Sequence, residues 1–127
     1  MKLILFSLIA GGLLACTKKN TALEKASFLH KEMFLMLEEV EKELSLLSPT
    51  KPLQDSMVQI KKEIEEWKAS VIEVPGNTEV DHDHHAHSHE KLNLTDDELL
   101  AVQLELKNEL EKIKKRIKKL LQHEKSL

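Results

Sequence analysis

The spacing of apolar residues between Leu53 and Val74 constrains the fold of this chain more than any other feature. Leu53, Met57, Ile60, Ile64, Trp67, Val71 and Val74 are separated by alternating gaps of four and three without a break, the period of a helix that buries one seam against another helix. A half-buried strand would need alternation at every second residue, and no segment offers a competing strand pattern. Upstream, Leu23, Ala26, Leu29 or His30, Met33, Leu37, Val40, Leu44 and Leu47 repeat the three-four spacing. Phe28, Phe34, Leu35, Met36 and Leu46 widen that stripe, which points to contact with more than one neighbouring helix. Downstream, Leu99, Val102, Leu106, Leu110, Ile113, Ile117 and Leu120 share one side of a third helix.

The residues between these runs have start and stop chemistry. Ser48-Pro49-Thr50-Lys51-Pro52 ends one helix and opens another, because proline suits a first turn but not a helix interior, and Ser48 or Thr50 can cap. So short a connector returns the second helix antiparallel to the first. Pro75-Gly76-Asn77 ends the second helix, and Thr95-Asp96-Asp97-Glu98 is a capping box at the start of the third, with acids placed at the positive end of the dipole. Lys112, Lys114, Lys115, Arg116, Lys118 and Lys119 complement the negative end. The expected fold is all-α: a three-helix bundle with coiled-coil-like heptads and helices over about 23–47, 50–74 and 95–123. A loop over 75–94 could reach up to roughly 66 Å, so the direction of the third helix stays open. An antiparallel bundle and a helical hairpin whose third helix pairs with a second molecule are both compatible.

The N-terminal segment specifies a location. Lys2, an apolar run from Leu3 to Ala15, and Leu13-Leu14-Ala15-Cys16 follow the layout of a bacterial lipoprotein signal, in which Cys16 is acylated and the chain is cut before it. The run is shorter than the roughly 20 residues needed to span a bilayer and is interrupted by Gly11 and Gly12. Residues 1–15 are therefore expected to be a signal peptide, 16–22 a lipidated tether, and 23–127 the bundle. Two or three acyl chains on Cys16 give a stable anchor where one would not. Thr17, in place of an aspartate, points to the outer membrane under proteobacterial sorting, with the protein facing the periplasm. Lipidation uses the only cysteine, so the bundle must hold together by packing alone or with a metal.

The net charge of −3 argues against a nucleic-acid partner, which would favour a strongly basic face. Aromatic residues make up 3% of the chain, a poor palette for a deep ligand pocket. The chemistry gathers instead in Asp81-His82-Asp83-His84-His85-Ala86-His87-Ser88-His89-Glu90, which holds five of the 7 histidines. Neutral imidazole is the commonest ligand for zinc, copper and nickel, and carboxylates complete such sites. Ordering ten backbone residues costs about 10–20 kcal/mol, whereas a structural zinc with four good ligands returns about 10–16 kcal/mol. The expected site is thus labile, with three or four ligands at a time drawn from His82, His84, His85, His87 and His89, and with Asp81, Asp83 and Glu90 supplying charge or occasional coordination.

Catalysis finds little support. There is no His-Glu-x-x-His pair, phosphate-cradling loop or nucleophile elbow, and no enzymatic activity is expected. Glu38-Glu39 and Glu65-Glu66 read as solvated helix faces. His30, Met33 and Met57 could attract copper(I), thioether being a soft ligand, but their heptad positions make them core or core-edge residues. Trp67 reads as an anchor of the helix contact. The basic end of the third helix reads as dipole-matched, with contact to lipid phosphate near the anchor as the other option.

On His30-Lys31-Glu32-Met33, Glu65-Glu66-Trp67, Val74-Pro75-Gly76 and Leu94-Thr95-Asp96-Asp97-Glu98, the chain resembles a group of small lipoproteins of Bacteroidota, some of which carry the label viral A-type inclusion protein. That resemblance implies a lipid-anchored helical protein and no mechanism. Residues 81–90 are separately similar to the histidine-rich loops of periplasmic zinc-binding proteins and zinc transporters, which implies metal handling. The expected function is to bind or buffer divalent transition metal, zinc first with copper or nickel close behind, and to pass it to a transporter. The alternative is a structural or interaction lipoprotein whose heptad faces meet a partner or a second copy while the loop is a spacer. Cys16→Ser is expected to abolish both incorporation of labelled palmitate and cleavage before residue 16. Persistent palmitate labelling of Cys16→Ser would contradict a lipid anchor at this residue.

Overall fold

The computed structural model describes residues 21–77 and 93–126. Among these, the chain is an all-α three-helix bundle: α1 spans Ala22–Ser45, α2 Lys51–Ser70 and α3 Asp96–Glu124. The expected box at Thr95 forms, with its hydroxyl accepting from Glu98 N and the Glu98 carboxylate accepting from Thr95 N. The backbone N–H of Thr95, together with its hydroxyl, holds the Glu98 carboxyl below the usual carboxylate range. α1 opens on the same device, Thr21 with Glu24, which is equally explicit in the sequence as a threonine followed three residues later by glutamate. Thr50 occupies the N-cap position of α2 without a side-chain cap, and Pro52 lies in the first turn.

Cross-helix pairs fix the direction of α3. Glu32 meets Lys107 at 2.7 Å, Glu39 meets Lys114, and Glu43 meets Lys118 at 3.9 Å. Residue numbers rise together on both helices, so α3 runs parallel to α1. α2 descends beside them: Glu63 pairs with Arg116, and Trp67 Nε1 donates to the Leu106 carbonyl at 2.8 Å. The order is up, down, up. At the far end, the Ser48 backbone N–H donates to Glu124 at 3.1 Å, tying the α1–α2 connector to the last turns of α3. Lys114 holds the Glu39 carboxyl below its usual range. Burial works to lower the ammonium of Lys68, but bonds to Glu41 and Glu65 outweigh it and raise the group. These pairs are largely solvated, so each contributes little to stability; they select register more than they hold the bundle together.

Burial does the holding. One apolar cluster runs from Met33, Leu37, Val40, Leu44 and Leu47 through Leu53, Ile60, Ile64, Trp67 and Val71 to Leu106, Leu110, Ile113 and Ile117. A second, smaller cluster of Ala26, Val74 and Leu99 closes the end where α1 and α3 begin, with Leu23, Ile72, Leu94 and Leu100 packed against it.

The second helix is shorter than its heptads suggest. They carry it to Val74, but α2 stops at Ser70 and Val71 is extended, at φ −64° and ψ 130°. Val71 and Val74 stay buried, at 4% and 3% exposure. Two local causes act together. Val71, Ile72 and Val74 are β-branched, and Val74 precedes a proline, which disfavours helical backbone. The Ser70 hydroxyl also bonds back to the Trp67 carbonyl at 2.7 Å. The chain then turns through Val74-Pro75-Gly76-Asn77, with Asn77 N donating to the Val74 carbonyl at 3.1 Å and Gly76 at φ 88°, a backbone that needs glycine after the proline. An extended strap therefore continues the apolar seam that a helix had begun. α1 also ends two residues before the expected limit, while Leu47 remains buried beyond it.

Leu110→Ala, at a fully enclosed seam position, is expected to lower unfolding stability by about 2–5 kcal/mol. Val58→Ala, at a 63% exposed position, should stay within about 0.5 kcal/mol. Denaturant midpoints measure both, and equal shifts would contradict the assigned core.

Candidate functional site

At the end of the bundle where α1 and α3 begin, the apolar seam is interrupted by polar side chains. Gln103 on α3 and His30 on α1 are both fully buried. Gln103 Nε2 donates to the Ile72 carbonyl at 2.9 Å. That bond orients the amide, leaving Gln103 Oε1 to accept from His30 Nδ1 at 3.3 Å. The imidazole thus carries its proton on Nδ1 in this arrangement. His30 also stands 5.0 Å from the Phe34 ring, centroid to centroid, and Phe34 meets Trp67 edge-on at 6.3 Å.

One turn nearer the α1 start, Asn77 and Ser27 form a second link. The Ser27 hydroxyl donates to Asn77 Oδ1 at 2.7 Å, and Asn77 Nδ2 donates to the Ser27 carbonyl at 3.3 Å. Asn77 is 8% exposed. The strap after α2 is therefore fastened twice: to α3 through Gln103 at Ile72, and to α1 through Asn77. Buried amides without partners would cost about 1–3 kcal/mol each. Bonded as they are, they fix which residues can face one another.

These fastenings bear directly on the histidine-rich segment. Asp81, His82, Asp83, His84, His85, His87, His89 and Glu90 lie outside the described residues, as does Cys16. The flanks of that segment are described. Val74 and Leu94, one on each side, belong to the same small cluster with Ala26 and Leu99. The chain leaves and re-enters the bundle at one end, and it is the end at which α1 begins. Among the described residues, no group of three or more His, Cys, Asp or Glu is placed to hold a metal.

The residues considered for copper(I) are packing residues. His30 and Met33 are fully enclosed, and Met57 is partly buried against the core. Trp67 is 3% exposed and anchors α2 to α3, as its seam position suggests. The basic end of α3 lies at the opposite end of the bundle from Thr21. There Lys114, Arg116 and Lys118 are matched by Glu39, Glu63 and Glu43.

An open groove of about 480 Å³ between α2 and α3 is lined by Glu63, Glu66, Trp67, Ser70, Glu109, Lys112, Ile113 and Arg116. The Glu63–Arg116 pair belongs to its wall, and its polar groups are mainly the solvated charges of two helix faces. Among the described residues, no helix is long and apolar enough to cross a membrane. Comparison with protein-family models, curated proteins and solved structures finds no match.

Gln103→Ala leaves the Ile72 carbonyl and His30 Nδ1 without this partner. The substitution is expected to lower stability by about 1–3 kcal/mol and to speed amide hydrogen exchange at Asn77, with less effect on Leu44 or Ile60. Unchanged exchange at Asn77 would contradict the fastening role of Gln103.

Proposed function

We propose that this protein is a lipid-anchored protein of the bacterial envelope, held at Cys16, which binds and buffers divalent transition metal through residues 81–90, zinc first and copper or nickel next. The observation that carries the proposal is the density of ligands: His82, His84, His85, His87 and His89 with Asp81, Asp83 and Glu90 in one short segment. The anchor proposal rests on Leu13-Leu14-Ala15-Cys16 after an apolar run.

One feature of the fold supports the metal-binding reading. Closing a loop costs entropy that grows with its length, and here the bundle has already brought Val74 and Leu94 into one cluster. A metal drawing ligands from the intervening segment gathers side chains on a chain whose ends are already close. The scaffold adds a fixed base rather than ligands. Fast-exchanging imidazoles suit capture and hand-over, with a metal transporter at the envelope as the partner, better than they suit an enclosed catalytic ion.

Protonation sets the pH dependence. Imidazole binds metal in its neutral form, and free histidine charges near pH 6.5. Affinity is therefore full above that value and falls as pH drops through it. Zinc titration of the full chain at pH 7.5 is expected to show saturable uptake that weakens at least tenfold at pH 5.5. Uptake should vanish when His82, His84, His85, His87 and His89 are all alanine. Equal uptake by that variant would refute the assignment of the ligands.

A further inference from the structure

Of the five large apolar side chains that are exposed among the described residues, one, Val58, is on α2, and the other four are on α1, its C-cap and α3. Phe28 and Leu35 on α1, and Leu46 at its C-cap, are 65%, 64% and 64% exposed. At 100° per residue they fall on a single line along the helix, opposite the seam of Ala26, Met33, Val40 and Leu44. Leu104 on α3 is 46% exposed. It stands one turn before Lys107, as Phe28 stands one turn before Glu32, and those two charges are bonded at 2.7 Å. Phe28 and Leu104 therefore share a level on the α1–α3 side of the bundle.

We propose that this outer face of α1, extended by Leu104, rests on the lipid surface to which the protein is anchored. The inference builds on acylation of Cys16. Four residues separate Cys16 from Thr21, so the five steps between them reach at most about 18 Å. Phe28 follows two turns into α1. The anchor thus keeps the line close to the bilayer surface, and a tethered surface is met at high effective concentration, so contacts too weak for binding from solution suffice.

The pattern favours lipid over a second copy of the chain. A coiled-coil partner needs two apolar positions per heptad, and this line offers one, with Lys42 at the next place after Leu35. Lipid needs no matching knobs. Phe and Leu settle at the acyl boundary while a lysine reaches to the headgroups. The nearby carboxylates of Glu32 and Glu39 are matched by Lys107 and Lys114. Exposed Glu24 and Glu38 flank the line, which makes the contact apolar in character rather than an attraction to anionic lipid.

The test uses the full acylated chain in phosphatidylcholine vesicles, with a nitroxide on Leu35→Cys and, as the reference on the outer side of α2, on Ala69→Cys. Mass spectrometry first establishes acylation at Cys16. The expected result is at least threefold greater protection from water-soluble chromium oxalate at residue 35 than at residue 69, with oxygen collisions raised at residue 35. Adding Phe28→Ser and Leu104→Ser should abolish the difference while leaving the helical circular dichroism intact. Equal chromium access at both sites in an acylated, vesicle-bound protein would overturn the inference and leave the anchor standing. Protection that depends on protein density would also overturn it, in favour of a second copy. Absence of acylation at Cys16 would remove the anchor and the inference together.

Discussion

The hydrogen-bonded pair of His30 and Gln103 is the constraint from which the rest of this structure follows. Three amphipathic helices with Leu, Ile and Val seams can slide by a heptad or reverse direction at modest cost, because one aliphatic layer resembles the next. A buried imidazole and a buried amide cannot. Each must find a partner in the core, and they find one another across α1 and α3, with the Ile72 carbonyl accepting from the amide that remains. A single polar layer of this kind selects register in a helical seam. Here it sets the level at which α3 meets α1 and ties the strap after α2 to α3.

Most of the fold was legible because the seam obeys simple arithmetic. On α1 the four-three spacing runs through Ala26, His30, Met33, Leu37, Val40, Leu44 and Leu47, and every one of these residues is buried. On α3 it runs through Leu99, Gln103, Leu106, Leu110, Ile113 and Ile117, again all buried. Hydrophobicity pointed instead to Val102, which is only partly enclosed. Strict spacing would have placed Gln103 in the core and chosen His30 over Leu29, since position outweighs side-chain polarity when a partner is within reach. The direction of α3 was not legible. It depends on pairs such as Glu39 with Lys114, seventy-five residues apart, and on one polar layer, neither of which has a local signature. The early end of α2 shows the converse. The heptad persists through Val71 and Val74 because burial persists, while β-branching and Pro75 change the backbone that delivers it.

The proposed metal-binding segment was legible as chemistry and not as geometry. Clustered imidazoles announce affinity for soft and borderline cations from composition alone. The sequence could not tell that both flanks of the segment are fastened at the start of α1, since that depends on Asn77 meeting Ser27 and on Leu94 joining Ala26, Val74 and Leu99. With that arrangement Thr21, Asn77 and Leu94, the described residues that flank the two proposed segments, share one end of the bundle. The basic turns of α3 face away from it.

Paramagnetic broadening by copper(II) tests this account most directly, because it reports binding and position in one spectrum. In a copper titration of the full chain at pH 7.5, the account predicts saturable loss of the amide signals of Ser27, Asn77, Leu94 and Leu99. The signals of Leu47, Leu53 and Ile117, at the other end of the bundle, should persist. Broadening centred on His123 and the last turns of α3, or no saturable broadening anywhere, would contradict it.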